Sequence, residues 1–198
     1  MEVFNRTLFL LINANAQSSA IAINVALFFA EYLIYAVPAF LVSMWLWGKP
    51  GSREVAVTAV IAVGFALLLN QLIGMLWPHP RPFMIPIGNV FFAHAPENSF
   101  PSDHVTVIAS LGMSLLLSGR RHIGASIVGL AFLTGVSRIY LGVHFPFDIV
   151  GSYAVAICAA WIVRRSLSKS KHTRRLFQIL DQVYRRLFAF PIHKGWVR

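Results

Sequence analysis

Residues 137–148 read Ser-Arg-Ile-Tyr-Leu-Gly-Val-His-Phe-Pro-Phe-Asp, and they lie between two long apolar runs. This short connection carries an arginine, a histidine and an aspartate, at Arg138, His144 and Asp148. Two more polar islands precede it in the chain, and they read Pro80-Arg81-Pro82 and Pro101-Ser102-Asp103-His104. Because guanidinium and imidazole groups bind phosphate oxygens, the three islands together indicate a phosphate-handling site.

The composition predicts an all-α membrane protein of one domain. Of the 198 residues, 57% are hydrophobic and only 12% are charged, and the mean hydropathy is +0.67. Several windows reach the length of about 20 apolar residues that a helix needs to cross a bilayer. A soluble protein with buried helices would need polar faces that these segments lack. The single cysteine, Cys158, offers neither a disulfide nor a metal-binding pair.

The apolar pattern predicts about five spanning helices. They run approximately from Ala20 to Trp47, Val55 to Trp77, Ser102 to Ser118, Ile123 to Tyr140 and Phe147 to Val163. The last three are short for a full crossing, which predicts that their ends lie in a thinned or protein-lined region. Outside the spans we expect an interfacial helix within Met1–Gln17, a short loop over Lys49–Arg53 and an irregular proline-rich connector over Pro78–Pro101.

The distribution of basic residues predicts the orientation. With five spans, fourteen of the seventeen Lys and Arg residues fall on one side, and only Arg6, Arg81 and Arg138 do not. The positive-inside rule makes the basic side cytoplasmic, so all three polar islands should meet on the outer face. We therefore divide the chain into a membrane-embedded domain, 1–163, and a basic cytoplasmic tail, 164–198.

The tail supports two interpretations. Its apolar residues recur at helical spacing with paired arginines between them, which is typical of a helix lying on an anionic leaflet. A solvated basic tail that only fixes the topology fits equally well. The net charge of +10 could also suggest nucleic acid as a partner, but its concentration in the tail of a membrane protein argues against that class.

His144 and Asp148 are the candidates for covalent catalysis. Pro146 favours a helix start between them, so the carboxylate could accept from one imidazole nitrogen and leave the other free to attack. Attack on phosphorus would give a phosphohistidine intermediate. The alternative is a solvated interfacial histidine without a role, but an arginine and a carboxylate so close in sequence favour function.

The second island predicts an anion seat at a helix start. Ser102 is placed to cap the third span, whose free N–H groups would attract phosphate, although a serine at such a position is more often a plain N-cap. His104 in the first turn could protonate a leaving oxygen as general acid. Asp103 would repel phosphate there unless it points away or pairs with an arginine.

Arg81 and Arg138 provide planar, permanently charged forks for phosphate oxygens. Both could stabilise negative charge that develops in a phosphoryl-transfer transition state. The alternative is that they reach up to lipid headgroups without catalytic function.

These islands resemble a known signature. Arg81-Pro82, then Pro101-Ser102-Asp103-His104, then Ser137-Arg138 followed by His144 and Asp148 are similar to the three-part motif of the phosphatidic acid phosphatase type 2 superfamily. Within it, essentially the whole chain resembles the bacterial undecaprenyl-diphosphate phosphatases. The resemblance implies His144 as nucleophile, Asp148 as its orienting partner and His104 as general acid. It also implies that phosphate is bound by Arg81, Ser102, Ser137 and Arg138, and that no catalytic metal is needed.

The chain departs from the superfamily pattern at two positions. Gly74 stands where a lysine is usual, and Asp103 stands where glycine is usual. His79, His94 or a bound cation could replace the missing positive charge.

Glu31 is a further candidate because an ionisable residue inside a membrane span is a functional candidate by default. With Asp103 or Glu97 it could hold a divalent cation that bridges a diphosphate. The alternative is that Glu31 pairs with a nearby arginine.

The resemblance implies an inner-membrane enzyme that hydrolyses undecaprenyl diphosphate on the periplasmic side, recycles the cell-wall carrier lipid and confers bacitracin resistance. The lipid partner could instead be phosphatidylglycerol phosphate or phosphatidic acid, or the phosphoryl group could pass to another lipid. Outside enzymes, a transporter or drug-resistance permease with a phosphate-binding mouth remains a rival, although clustering of the islands at one face argues against a path across the bilayer.

Overall fold

The computed structural model describes residues 2–49, 51–85, 87–169 and 171–198. Within these ranges the regular structure is helical, which confirms the predicted all-α fold. The helices are α1 (Glu2–Ile12), α2 (Ala20–Trp47), α3 (Ser52–Leu76), α4 (Asp103–Leu117), α5 (Arg121–Tyr140), α6 (Pro146–Lys169), α7 (Lys171–Leu187) and α8 (Ala189–His193). Met1 of the predicted first helix and Pro50 of the predicted loop lie outside the described residues.

Four helices, α2, α3, α5 and α6, are long and apolar enough to cross a membrane. The prediction that the last three spans are all short is wrong for α5 and α6. Helix α6 continues past Val163 to Lys169, since basic residues at a helix C-terminus interact favourably with the helix dipole. Among the five predicted spans, only α4, with 15 residues, is too short for a full crossing.

Helix α4 forms the centre of the bundle and packs against α3, α5 and α6. Small residues allow this close packing, as in other membrane bundles. At the α4–α5 contact, a Cβ on Gly112 would lie 2.8 Å from Val128 Cγ2, and one on Gly124 would lie 2.7 Å from the backbone nitrogen of Leu116. Because other helices surround α4, its short length does not expose unsatisfied backbone to lipid.

The bundle has two chemically different ends. At the end that we call the basic end, Arg120 donates to Ser52 Oγ and Arg164 donates to Ser118 Oγ. At the opposite end, which we call the site end, α3 and α5 finish and α4 and α6 begin. The three polar islands therefore share one end of the bundle, as the charge distribution predicts.

Helix α1 covers the site end, and it buries a polar side chain while it exposes apolar ones. Asn5 is buried, and its Oδ1 accepts a hydrogen bond from the backbone N–H of Phe147 in the first turn of α6. Phe9 is also buried, while Val3 and Leu11 point outward and are largely exposed. An apolar outer surface suits a helix that contacts lipid at the membrane interface.

The tail is a helix that docks on the start of α3. Arg53 donates to the backbone oxygens of Trp45 and Arg198 and to Asp181 Oδ1, and its guanidinium lies 3.9 Å from the Tyr184 ring centroid. Helix α7 leaves one apolar face exposed, formed by Leu176, Ile179, Val183 and Leu187. This face favours the interpretation of α7 as a surface-bound helix, which stays a prediction.

Arg53→Ala should loosen the tail. Loss of a largely buried arginine that serves several acceptors removes charge-assisted hydrogen bonds, so chymotrypsin should cut the tail about tenfold faster or more. Arg185→Ala is the matched control, because Arg185 also contacts Asp181 but is more than half exposed. Equal cleavage rates in the two variants would contradict this role of Arg53.

Candidate active site

A tight turn after α5 keeps Arg138 and His144 at the same end of the bundle. Gly142 has a φ of +85°, and a Cβ there would overlap the backbone oxygen of Asn89. Only glycine fits this conformation without strain. Asn13 fastens the same region, because its side chain donates to the carbonyl oxygens of Asn89 and Tyr140.

His144 and Asp148 are in contact, as their spacing predicts. The distance from His144 Nδ1 to Asp148 Oδ2 is 3.2 Å, and both side chains are buried. The same carboxylate oxygen accepts from the backbone N–H of Phe145 at 2.8 Å. Burial lowers the pKa of His144 well below its usual range, and the charges of Arg138 and Arg81 lower it further. The imidazole is therefore neutral at physiological pH and retains a lone pair for attack.

Ser99 completes this group, and sequence reasoning missed it. Its hydroxyl donates to Asp148 Oδ2 at 2.5 Å and lies 3.4 Å from His144 Nδ1, and the residue is fully buried. Three donors therefore converge on one carboxylate oxygen. The only available sequence signal was the position of Ser99, two residues before the second island.

Arg81 reaches the other side of the His144 ring. Its NH1 lies 3.0 Å from His144 Nε2 and 3.2 Å from the backbone oxygen of Val143, and its Nε donates to the backbone oxygen of Glu97. Burial lowers the pKa of Arg81, while nearby carboxylates, led by Asp148, oppose that shift. An arginine remains charged in such surroundings, so a fixed cation faces the free imidazole nitrogen.

Arg138 is almost completely buried at the end of α5. Its NH1 donates to the backbone oxygen of Ala30 at 2.8 Å, and its NH2 lies 3.0 Å from His94 Nε2. Ala30 lies in a π-helical turn of α2, Phe28–Tyr32, where the regular α-helical bonding pattern is interrupted. The Nε of Arg138 has no partner within the described part of the chain, so a donor remains available for an anion.

The other residues that were predicted to act on the phosphate lie around these side chains. His104 is half-buried in the first turn of α4 and close enough to Arg138 and Arg81 for their charges to act on it. Ser102 occupies the predicted N-cap position, but the prediction of a side-chain capping bond is wrong: its buried Oγ lacks a partner among the described residues. Ser137 is buried in the last turn of α5, next to Arg138.

Asp103 accepts a hydrogen bond from an amide on α3. Asn70 Nδ2 donates to Asp103 Oδ1 at 2.7 Å and to Thr106 Oγ1 at 3.0 Å. Beside this contact lies a cavity of about 280 Å³, whose lining includes Arg81 and Glu97. The sequence left open whether Asp103 points away or pairs with arginine, and the amide contact supports the first alternative.

Asn98 occupies the space next to Gly74, where the superfamily pattern has lysine. A Cβ on Gly74 would lie 2.9 Å from Asn98 Nδ2. Asn98 accepts from the backbone N–H of His79 and donates to the backbone oxygen of Phe100, so it fastens the connector to the end of α3. The His79 ring packs against Phe145, whereas His94 contacts Arg138; of the two proposed substitutes for lysine, only His94 directly contacts a phosphate-binding candidate.

Glu31 does not join a carboxylate cluster. Across the described ranges, no group of three or more His, Cys, Asp or Glu side chains is arranged to hold a metal ion. A cation held by Glu31 with only one of Asp103 or Glu97 stays a prediction. Within the same ranges Glu31 forms no ion pair, although its charge acts on Arg138.

The assembled groups can bind a tetrahedral anion and attack it. A neutral imidazole is oriented by a carboxylate, two guanidinium groups flank it, and a second imidazole lies at a helix start with an unpartnered hydroxyl beside it. This combination supplies a nucleophile, a proton donor and charge stabilisation, which are the requirements of phosphoryl transfer to an enzyme side chain.

Comparisons with known proteins agree with this chemistry. The sequence profile described as the PAP2 superfamily matches residues 55–172. YbjG of Escherichia coli is 39% identical over 201 residues, which cover 100% of this chain and 99% of the relative. The undecaprenyl-diphosphatase BcrC of Bacillus subtilis is 34% identical over 161 residues, 81% of this chain and 83% of the relative. The crystal structure of LpxE from Aquifex aeolicus superimposes with a TM-score of 0.70 at 26% identity, over 82% of this chain and 95% of that chain.

Proposed function

We propose that this chain, which belongs to the PAP2 superfamily and is a multi-pass membrane phosphatase acting on lipids, removes the terminal phosphate of undecaprenyl diphosphate. The observation that carries the proposal is the contact of His144 with Asp148 on one side and Arg81 on the other, at the end of a lipid-embedded bundle. The relative BcrC, named as an undecaprenyl-diphosphatase, supports this choice of lipid.

In the first step, His144 acts as the nucleophile. Its Nδ1 faces Asp148, so Nε2 carries the attacking lone pair. A bond forms between Nε2 and the terminal phosphorus, the bond from that phosphorus to the bridging oxygen breaks, and undecaprenyl phosphate leaves. The negative charge of the bound diphosphate favours the protonated form of His104, which gives its proton to the leaving oxygen, while Arg81 and Arg138 stabilise the equatorial oxygens.

In the second step, water releases the phosphate. His104, now neutral, takes a proton from water as the water oxygen attacks the phosphohistidine. The phosphorus–nitrogen bond breaks, inorganic phosphate leaves, and His144 returns to its neutral form. The carboxylate of Asp148 keeps the same imidazole tautomer through both steps.

The test of substrate class is phosphate release by the purified protein from three lipids in the same detergent. We expect the highest kcat/KM for undecaprenyl diphosphate, compared with phosphatidylglycerol phosphate and phosphatidic acid. A higher kcat/KM for either phospholipid would contradict the proposed substrate but not the phosphatase activity. Phosphate recovered on a second lipid, rather than in water, would identify a phosphotransferase.

The proposal includes the location of the reaction. The basic end of the bundle favours the cytoplasm of a bacterial inner membrane, so the site end would face the periplasm. The lipid chain stays in the bilayer while its diphosphate reaches the helix ends. Because bacitracin sequesters the diphosphate, expression of the chain should raise bacitracin resistance, and the His144→Gln variant should not.

Ser99→Ala should lower kcat by about ten- to a hundredfold with little change in KM, because loss of one buried hydrogen bond to a charged group costs about 1–3 kcal/mol. The hydroxyl positions Asp148 and is not expected to bind substrate. Ser114→Ala is the matched control, since Ser114 is also buried and bonds only the backbone oxygen of Ser110. Equal kcat values in both variants would contradict a positioning role, as would a rise in KM alone.

Removal of divalent cations should leave turnover unchanged, because the proposed reaction uses only side chains. We expect equal rates with and without EDTA for the wild type and for Glu31→Gln. A loss of activity in EDTA that added Mg²⁺ restores would show that a cation takes part. If Glu31→Gln also abolished that dependence, Glu31 would be one of its ligands.

A further inference from the structure

An apolar groove of about 320 Å³ runs along one side of the bundle. Helices α2 and α5 form its walls and α4 forms its floor. Its apolar lining includes Leu33, Phe40, Ile108, Leu111, Ile127 and Leu130. The polar lining residues, His122 and Ser126, lie in the first two turns of α5, toward the basic end, and Ser126 Oγ already donates to the backbone oxygen of His122.

The groove exists because α2 changes its packing partner along its length. The first half of α2 packs on the end of α5, where Ala26, Ala30 and Leu141 form a buried cluster. After the π-helical turn and a 3-10 turn at Leu33–Tyr35, the second half packs on α3 instead. The two walls therefore separate below the site end and leave space between them.

The groove begins about one turn of α2 below a contact made by a phosphate-binding candidate. At the site end, Arg138 on α5 donates to the backbone oxygen of Ala30 on α2. Leu33, the first lining residue on α2, follows Ala30 by about one helical turn, a rise of roughly 5 Å. From there the lining continues along the bundle axis to Phe40, in the direction that a lipid chain takes from its headgroup into the bilayer.

We propose that this groove holds the part of the substrate's isoprenoid chain nearest the diphosphate. The inference rests on the proposed function and adds a site for the chain to the site for the headgroup. The lining offers no charge to a ligand other than at His122, so it suits hydrocarbon. The permanent cation Arg138, which lies beyond the lining and contacts Ala30, fixes which end of the lipid points toward the site.

Filling the groove tests the inference. Ala36 lines the groove, whereas Ala39 on the same helix is exposed outside it. Ala36→Trp should lower kcat/KM for undecaprenyl diphosphate about tenfold or more, the factor expected when contacts of roughly two methylene groups are lost. Hydrolysis of p-nitrophenyl phosphate, which has no isoprenoid chain, should be unchanged, and Ala39→Trp should alter neither substrate.

Two results would overturn the inference: an Ala36→Trp enzyme with undiminished activity on the long-chain substrate, or one that loses activity on both substrates equally. A binding measurement separates this failure from failure of the proposed function. An undecaprenyl phosphate analogue with a diazirine in its first isoprene units should label 33–40 and 123–130, and less so in Ala36→Trp. Labelling outside 33–40 and 123–130 would contradict the proposal that the groove binds the chain, even if the enzyme is active. Labelling within these ranges by a protein that does not turn over the substrate would contradict only the proposed reaction.

Discussion

Replacing His144 with glutamine should abolish turnover. Glutamine keeps a polar side chain of similar size, but it has no lone pair suited to attack on phosphorus. For an enzyme that proceeds through a covalent intermediate, loss of the nucleophile removes on the order of 10⁶ in kcat. The measurement is phosphate release from undecaprenyl diphosphate by the purified variant.

His193→Gln is the matched control, because His193 is exposed in α8 of the tail and lines neither the site nor the groove. It should retain full activity. The kcat of His104→Gln should lie between those of the other two variants, about 10²–10⁴-fold below the wild type, because a general acid–base group contributes less than the nucleophile. Residual turnover of His144→Gln as high as that of His104→Gln would contradict the assignment of roles. Transport activity that survives His144→Gln would revive the permease interpretation.

Arg138→Lys should be the second most damaging change, although it conserves the charge. Arg138 uses one nitrogen for the backbone oxygen of Ala30 and another for His94, and it keeps Nε free. A lysine ammonium cannot occupy all of these positions at once, because it is a single point of charge and not a planar fork. We expect kcat to fall by about 10²–10³, as when one donor to a transition-state oxyanion is removed.

Arg121→Lys on the same helix is the control for this prediction. Arg121 is exposed at the basic end, so its replacement should leave kcat and KM unchanged. If Arg138→Lys retained nearly normal kcat, the guanidinium geometry would have no catalytic significance. If it raised only KM, Arg138 would bind the ground state and the transition state equally well.

The sequence predicted those features that follow from composition and from short spacing. Long apolar runs defined the spans, and the distribution of lysine and arginine placed the three islands at one end. The contact between His144 and Asp148 follows from four-residue spacing across a helix start that Pro146 favours. These are local properties, so a single sequence contains them.

Features that depend on contacts between distant segments could not be predicted in this way. Ser99 reaches Asp148 only because the connector folds over the start of α6. The backbone oxygen of Ala30 meets Arg138 only because α2 contains a π-helical turn. The 15-residue α4 is long enough because other helices surround it, and length alone could not choose between a thinned and a protein-lined region.

Asn70 illustrates a signal that was present but not used. An amide within an otherwise apolar span is costly in lipid and usually faces a polar partner inside the bundle. Here that partner is Asp103, one of the two residues at which the chain departs from the superfamily pattern. The same principle singled out Glu31, which forms no ion pair among the described residues, so an intramembrane polar residue indicates that a partner is needed without indicating which one.

The most direct measurement is to trap the intermediate with undecaprenyl diphosphate that carries radiolabel on its terminal phosphate. Rapid denaturation during turnover, followed by peptide mapping, should locate acid-labile label on His144, and His144→Gln should carry none. Label on any other residue would contradict the account, as would turnover in which water attacks the substrate directly and the protein never becomes labelled.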